Sequence, residues 1–538
     1  MSTAADAIAG NVQTNRLTAA VNYVRSRQAE QQRIPATFLL LIALYIVLTG
    51  DVPTIIQAAA FGLEGGAWAE FSAAMATSIA YYLLLIAAMV MLARHPLGIL
   101  HPLLLAVVVW PIINGAPTVI QDFGGWAGIL GGVPVASPFF VGIPSHDSSL
   151  IWTAIAKYNG VRILSLLCVY LGFWALGGNA KGRLPRVEWN SVAVRSVMLA
   201  LVALSALVLA IFIYSRGGLN AHIASLGFGR FRALHNFGPV IVFTHLGEIA
   251  LLVWVAVQPR QVKSPLFLAL LCMVTFNQFI GNASRGGALA IPLTVGLIWA
   301  LRTRRVPWRT AMILAPILFV SIGLMGAIRS SSWINKTAAE TAASTGWADS
   351  FAQADEEIEL RKSLSGGVPV VERGFEVTGG PLYGASYIGA VAGFIPRVVW
   401  KDKPRGSGSL YAQLFIHESE EGSALPIGQE AEMYWNFGIP GVILLSILLG
   451  ASYRLFYNFM WRRYPDPFVV VLYVLFITRF QLSTTYIVYF EQSAGLLALC
   501  YLIVAFTFPR RTAEIPAWVQ QKPVARPLNK LAQDRAGS

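Results

Sequence analysis

Long apolar runs without a single charged residue constrain this chain more than any other feature. Examples are Phe38 to Leu48, Leu83 to Leu92 and Val197 to Tyr214. With their flanks, these runs reach or approach the roughly 20 residues that a helix needs to cross the hydrocarbon core of a bilayer. Backbone groups in lipid must be hydrogen-bonded within the protein, and the runs lack the alternation of a barrel strand. The sequence therefore predicts an all-α, polytopic transmembrane helical bundle.

The composition agrees with a chain whose main solvent is lipid, since 56% of its residues are hydrophobic and only 12% are charged. A net charge of +13 would suggest nucleic acid as the partner of a soluble protein. In a membrane protein we interpret it as a topology signal and expect no nucleic-acid partner. The cysteines fall inside apolar spans, so we expect neither a disulfide framework nor a metal site: Cys168, Cys272 and Cys500. We also expect no cleaved signal peptide.

Hydropathy in a window of about 19 residues predicts about twelve membrane spans. They fall near residues 35–50, 70–93, 97–113, 159–177, 194–214, 237–257, 264–281, 286–301, 310–328, 436–458, 467–479 and 485–507. The predicted organisation is a cytoplasmic segment (1–34), a first group of spans (35–328), a large external loop (329–429), a second group of spans (430–507) and a cytoplasmic tail (508–538).

Lysine and arginine set the orientation, because loops that stay in the cytoplasm carry the positive charge. With the N-terminus inside, every even-numbered turn is basic, and both termini are cytoplasmic. These turns contain Arg94, Lys181, Arg183, Arg186, Arg195, Arg260, Lys263, Arg302, Arg304, Arg305, Arg309, Arg462, Arg463, Arg510 and Arg511. By contrast, Asn114 to Ala156, assigned to the outside, contains no lysine or arginine.

The external loop from Arg329 to Gln429 spans roughly a hundred residues, far more than an ordinary connection. Its first part, Glu340 to Lys362, has the composition of a charged helix, whereas Gly379 to Pro396 is rich in glycine and weakly apolar. We expect a small helical cap outside the membrane, followed by a re-entrant part that returns to the membrane surface.

Several basic residues stay on the outer face against the topological rule. They are Arg230, Arg232, Arg285, Arg329, Arg397, Lys401, Lys403, Arg405 and Arg479. Together they would form an electropositive cavity at membrane level, suited to a polyanionic headgroup whose phosphate oxygens accept bidentate hydrogen bonds from guanidinium groups. The alternative for each is an arginine at a helix end that extends to lipid phosphate and has no further role.

Arg285 has the strongest local context among these basic residues. It lies in the turn Asn282-Ala283-Ser284-Arg285-Gly286-Gly287, at the predicted start of a helix. Unpaired backbone N–H groups and the helix dipole favour an anion at such a position. We therefore expect Arg285 to bind a phosphate group.

Few residues on the outer face qualify for acid–base chemistry. Glu430 and Glu432 lie at the outer end of the tenth span, and His417 lies in the loop before it. A transfer reaction needs an acceptor hydroxyl deprotonated and the charge of the leaving group stabilised. The alternative for Glu432 is a carboxylate that stabilises a helix dipole. His245 and Glu248 lie about one turn apart inside a span, and their residue types suit either a buried site or a hydrogen bond between helices.

Three strings in this order resemble the Wzy-type O-antigen and exopolysaccharide repeat-unit polymerases. They are the Ser284-Arg285-Gly286-Gly287 turn, the stretch Phe394-Ile-Pro-Arg-Val-Val-Trp-Lys-Asp-Lys-Pro404, and Glu432-Met-Tyr-Trp-Asn-Phe-Gly438 running into the next span. The resemblance covers residues 215–460 and implies a GT-C-like membrane glycosyltransferase of the bacterial inner membrane.

The resemblance implies an inverting transfer, independent of metal and cofactor, on the periplasmic side. A glycan carried by undecaprenyl pyrophosphate would move onto a new lipid-linked repeat unit. Arg285, Arg397 and Lys403 would hold the pyrophosphate, with Arg329 and Arg230 assisting. Glu432 or His417 would act as the base. Membrane lipid, a chain-length regulator and a flippase are the other implied partners.

Two other functions stay open at this point. An O-antigen ligase-like enzyme shares the donor and the architecture but transfers the finished glycan to a different acceptor. A polysaccharide or solute transporter is the second alternative, although transporters commonly show paired halves and no half-to-half similarity is evident in this sequence.

Overall fold

A computed structural model describes residues 67–93, 95, 100–109, 148–175, 186–227, 238–282, 285–303, 367–392, 395, 399–415, 427–508 and 511–513. This part of the chain is helical apart from two short strands. The helices are α1 (Trp68–Ala93), α2 (Ser148–Ala175), α3 (Ser191–Ser215), α4 (Leu219–Gly227), α5 (Gly238–Val257), α6 (Pro265–Asn282), α7 (Arg285–Thr303), α8 (Gly367–Thr378), α9 (Ala385–Val391), α10 (Ser407–Phe415), α11 (Gln429–Arg463), α12 (Pro467–Arg479) and α13 (Thr484–Thr507). A π-helix spans Leu103–Val109 and a 3₁₀ helix spans Pro259–Lys263.

Among the described residues, five helices are long and apolar enough to cross a membrane, namely α1, α2, α3, α11 and α13. Shorter apolar helices lie within α5, α6, α7 and α12. Each of these helices overlaps a predicted span, and the π-helix lies within the predicted span 97–113. The predicted spans 35–50 and 310–328 lie outside the described residues. The chain is thus a multi-pass helical membrane protein.

Local sequence explains where the spans begin. The Asn190 side chain accepts hydrogen bonds from the backbone N–H groups of Val192 and Ala193 at the start of α3, at 3.1 and 3.2 Å. Asp466 accepts one in the same way from Phe468 at 2.9 Å, and Pro467 is the first residue of α12. Both side chains satisfy N–H groups that a helix start leaves unpaired.

Helix α5 lies at the centre of one half of the bundle. Its side chains from Ile249 to Ala256 have no measurable exposure, and it packs against α3, α6, α7, α12 and α13. A helix that is apolar on all sides is expected to be buried on all sides. Gly247 permits close approach of α3, because a Cβ there would lie 2.8 Å from Ser205 Oγ.

A second close pair of helices is α2 with α11. A Cβ on Gly172 would collide with the backbone of Ile447, and a Cβ on Gly450 would collide with that of Val169. Small residues at these crossings let two backbones approach as transmembrane helices commonly do. The Ser165 and Ser446 hydroxyls share a hydrogen bond of 2.8 Å across the same interface.

Helix α11 reverses direction at Gly438, which differs from the straight tenth span 436–458 that the sequence predicts. Gly438 has φ 65° and ψ −158°, a backbone conformation that favours glycine. Met433 Sδ lies 3.5 Å from Ser446 Oγ, whereas a continuous helix would separate these residues by about 20 Å along its axis. The first segment, 429–437, therefore folds back beside the second segment, 439–463.

Strands β1 (Arg186–Glu188) and β2 (Arg511–Ala513) pair in antiparallel register, with Val187 opposite Thr512. Both strands lie in segments that the charge pattern assigns to the cytoplasm. Their pairing brings these two segments together at one end of the bundle. This agrees with the prediction that both segments lie on the same side of the membrane.

Candidate functional site

Glu432 is fully buried and binds the start of α13. Its carboxylate accepts hydrogen bonds from the Thr484 backbone N–H at 2.9 Å and from the Ser386 hydroxyl at 2.9 Å. The Thr484 hydroxyl donates to the same carboxylate. Because Thr484 is the first residue of α13, Glu432 caps a helix other than its own and complements that helix's dipole. These hydrogen bonds support the capping role for Glu432; its role as a base stays a prediction.

Asn436 lies one turn after Glu432 and holds the loop before α9. Its Nδ2 donates to the Glu432 carbonyl at 2.8 Å and to Ser386 Oγ at 2.9 Å, while its Oδ1 accepts from the Gly384 N–H at 3.1 Å. The Tyr383 N–H donates to the Asn436 carbonyl at 3.0 Å. The first and fifth residues of the Glu432-to-Gly438 string therefore fix the loop segment against α11.

The loop segment from α9 to α10 also packs against the start of α13. Ser407 Oγ and Thr484 Oγ1 lie 3.3 Å apart, and the Tyr387 hydroxyl donates to the Leu482 carbonyl at 3.2 Å. Burial, followed by the nearby charges of Glu432 and Glu430, raises the pKa of Tyr387 well above its ordinary value of 10.0, which keeps this hydroxyl protonated. Part of the large predicted loop is thus attached to the last span.

Lys403 lies in this attached segment, between α9 and α10, which both pack against α13. Its Nζ donates to the Ile395 carbonyl at 3.3 Å. Helix α13 also carries Glu491, which was not among the predicted site residues. Glu491 Oε2 is buried and accepts no hydrogen bond from the part of the chain that is described. A signal was available in the sequence, because Glu491 is a lone ionisable residue inside an apolar span.

Arg479 does not lie free in an electropositive cavity as the sequence analysis expected. Its guanidinium forms an ion pair with Glu248 of α5 and donates to Ser493 Oγ at 2.7 Å. His245 Nδ1 lies 3.2 Å from Glu248 Oε2 and 2.7 Å from Gln278 Nε2 of α6. The alternative of hydrogen bonds between helices thus accounts for the contacts of His245 and Glu248.

Arg162 is a buried arginine that was not among the predicted site residues. It lies in α2 at 6% exposure, with its Cζ 4.3 Å from the ring centroid of Tyr81 and 5.3 Å from that of Tyr158. A Cβ on Gly428, the residue before α11, would lie 3.2 Å from the Tyr158 hydroxyl. The folded-back segment of α11 therefore begins beside Tyr158 of α2, whose ring Arg162 contacts.

Of the predicted site residues, Glu432 contacts the first residue of α13, and Lys403 lies in the loop segment whose helices α9 and α10 pack against α13. Helix α7 begins at Arg285, as the sequence predicts, but the side chain of Arg285 lies outside the description. The remaining candidates lie outside the described residues: His417, Arg397, Arg329 and Arg230.

The described residues bring no three histidine, cysteine, aspartate or glutamate side chains together as metal ligands. Cys168, Cys272 and Cys500 are free thiols. The arrangement therefore offers carboxylates, one ammonium group and buried arginines as its chemical groups.

Fold and site define a multi-pass helical membrane protein in which part of a large loop is attached to the last span. No protein-family model, curated protein or solved structure matches the chain. The resemblance to repeat-unit polymerases is therefore carried by the three sequence strings alone.

Proposed function

We propose that this protein polymerises oligosaccharide repeat units linked to undecaprenyl pyrophosphate, at the periplasmic face of a bacterial inner membrane. The observation that carries the proposal is the attachment of the loop segment that contains Lys403 to the start of α13, a span that also contains the Glu491 carboxylate. A cation for a phosphate and a carboxylate for a hydroxyl are the two groups that a glycosyl transfer from a lipid pyrophosphate needs.

In this proposal the donor pyrophosphate lies at the outer membrane surface and is bound by basic side chains. Lys403 contributes from the loop segment, and Arg285 contributes from the start of α7, where the helix dipole favours an anion. Arg397 belongs to the same string as Lys403 and completes the set, with Arg329 and Arg230 assisting. Charge stabilisation by these groups promotes departure of the pyrophosphate.

The fold supplies a reason for a loop that is attached to the bundle. A lipid-linked donor stays in the bilayer while its sugars extend into water, so a site for its pyrophosphate must lie where protein, lipid headgroup and water meet. A loop segment bound to the start of α13 through Glu432, Asn436 and Ser407 places cations at a fixed position relative to the spans. Such fixed groups stabilise developing charge without reorganisation during the reaction.

Deletion of the gene in its own organism tests the proposal. We expect surface glycans that carry a single repeat unit, together with accumulation of the lipid-linked single repeat. Full-length polymer left on its lipid carrier would instead indicate the ligase. Repeat units trapped on the cytoplasmic side would indicate a transporter, and either result would contradict the polymerase.

A further inference from the structure

Glu491 lies inside the last span, on the side of α13 that faces the loop segment. It is seven residues, or about 10 Å along the axis, from Thr484 at the helix start. Thr484 contacts Glu432 and Ser407, and two helical turns later the same face carries Glu491. A carboxylate in such a position is costly, so a function is the first hypothesis for it.

The surroundings of Glu491 differ from those of the other carboxylate at this interface. Both oxygens of Glu432 accept hydrogen bonds, from Thr484 and Ser386, and its exposure is 0%. Glu491 is partly exposed, and its Oε2 accepts no hydrogen bond from the described residues. An ionised carboxylate has about four acceptor positions, so Glu491 keeps capacity to accept a proton where Glu432 has committed its oxygens.

Lys403 belongs to the loop segment that packs against α13. Its Nζ donates to the Ile395 carbonyl at 3.3 Å, so the loop backbone directs its ammonium group. Helices α9 and α10, which lie on either side of Lys403 in the chain, both pack against α13.

We propose that Glu491 is the proton acceptor for the sugar hydroxyl that attacks the donor. This proposal depends on the proposed function and replaces Glu432 and His417 as the predicted base. The hydroxyl oxygen forms a bond to the anomeric carbon of the donor sugar. The bond from that carbon to the pyrophosphate oxygen breaks, and its electron pair leaves with the undecaprenyl pyrophosphate. The hydroxyl proton moves to the Glu491 carboxylate and is later released to water.

The test uses the purified full-length protein and the lipid-linked single repeat extracted from the deletion strain. Glu491→Gln removes the proton acceptor but keeps the shape of the side chain. We expect kcat to fall by about 10²–10⁴-fold, the usual contribution of a general base, with donor KM within about threefold of wild type.

Chemical rescue separates a proton acceptor from a structural carboxylate. In Glu491→Ala the space of the side chain is open, and added formate supplies a small carboxylate in its place. We expect formate to restore turnover of Glu491→Ala and to leave Glu491→Gln unchanged. Glu376→Gln is the matched control, because Glu376 is an exposed carboxylate paired with Arg373 by a hydrogen bond of 2.6 Å in α8, and we expect it to keep wild-type turnover.

The outcomes distinguish this inference from the proposed function. Suppose that the wild-type protein elongates the repeat. If Glu491→Gln then keeps the wild-type kcat, or if formate fails to restore Glu491→Ala, the role of Glu491 is overturned and the polymerase proposal still stands. Wild-type protein that fails to elongate the repeat overturns both proposals. Lys403→Gln is expected to raise donor KM, since Lys403 binds the pyrophosphate in the proposed function.

Discussion

Two regions of this molecule place a carboxylate within a transmembrane helix, and they treat it in opposite ways. In the bundle interior, Glu248 is 1% exposed and is bound by Arg479, His245 and Gln278. In α13, Glu491 is partly exposed and keeps a buried oxygen without a hydrogen bond from the described residues. A buried carboxylate whose oxygens all have hydrogen-bond or ion-pair partners holds helices together. A carboxylate with an oxygen that lacks such a partner is available for chemistry.

The largest expected effect comes from a test of the side of the membrane on which the loop segment lies. A cysteine placed there either reacts with an external reagent or does not react at all. Asp402 is exposed in the loop segment, and Arg462 is exposed at the opposite end of α11. In a variant without Cys168, Cys272 and Cys500, we expect Asp402→Cys to react with a membrane-impermeant thiol reagent on spheroplasts. Arg462→Cys should react only after lysis. The reverse pattern would invert the topology and place the interface in the cytoplasm.

The interior region should show the largest loss of stability. Arg479→Ala leaves Glu248 buried without its cation, and breaking a buried pair in this way costs about 3–5 kcal/mol. We expect a strongly lowered melting temperature in detergent, with partial recovery when Glu248→Gln is added. Arg462→Ala removes an exposed arginine and should melt like wild type. Equal melting of Arg479→Ala and Arg462→Ala would show that the ion pair is dispensable.

Substitution of Glu432 should give an intermediate loss of stability, because Glu432 is fully buried, as Glu248 is, but lies at the loop interface. Glu432→Ala leaves the Thr484 N–H and the Ser386 hydroxyl buried without an acceptor, which costs about 1–3 kcal/mol. We expect the melting temperature to fall and the loop segment to become more sensitive to protease. A variant with wild-type melting and protease resistance but no turnover would return Glu432 to the role of base.

Glu491→Gln should have the smallest effect on stability, less than about 1 kcal/mol, because the side chain is partly exposed and glutamine keeps its shape. The same melting assay measures it. A loss as large as that of Arg479→Ala would mean that the two regions do not differ, and that Glu491 is a structural carboxylate like Glu248.

Hydropathy was sufficient to predict the apolar helices, because lipid leaves few alternatives to a helix of span length. The predicted 194–214 and 485–507 lie within α3 and α13. Helix α2 begins at Ser148, earlier than the predicted 159, since Lys157 lowers the hydropathy of its first half. The reversal of α11 was missed because residues 429–437 are helical themselves; Gly438 and Pro440 were the available signals.

The contacts of the candidate site could be predicted from the sequence only in part, and the reason is physical. Ion pairs such as Arg479 with Glu248 join residues that are far apart in the chain and depend on how the helices pack. Charge type and membrane side identified Lys403 and Glu432, which both lie in segments that pack against α13. They could not show that the oxygens of Glu432 are occupied by Thr484 and Ser386, nor that Glu491 faces the loop.

The most direct test of the polymerase is the stoichiometry of one reaction. Purified wild-type protein in liposomes is mixed with the lipid-linked single repeat, and the glycan lengths and free undecaprenyl pyrophosphate are measured by mass spectrometry. We expect glycans of two or more repeats, with one undecaprenyl pyrophosphate released for each new linkage. Repeats that stay single, or linkages formed without release of the pyrophosphate lipid, would contradict the proposed function.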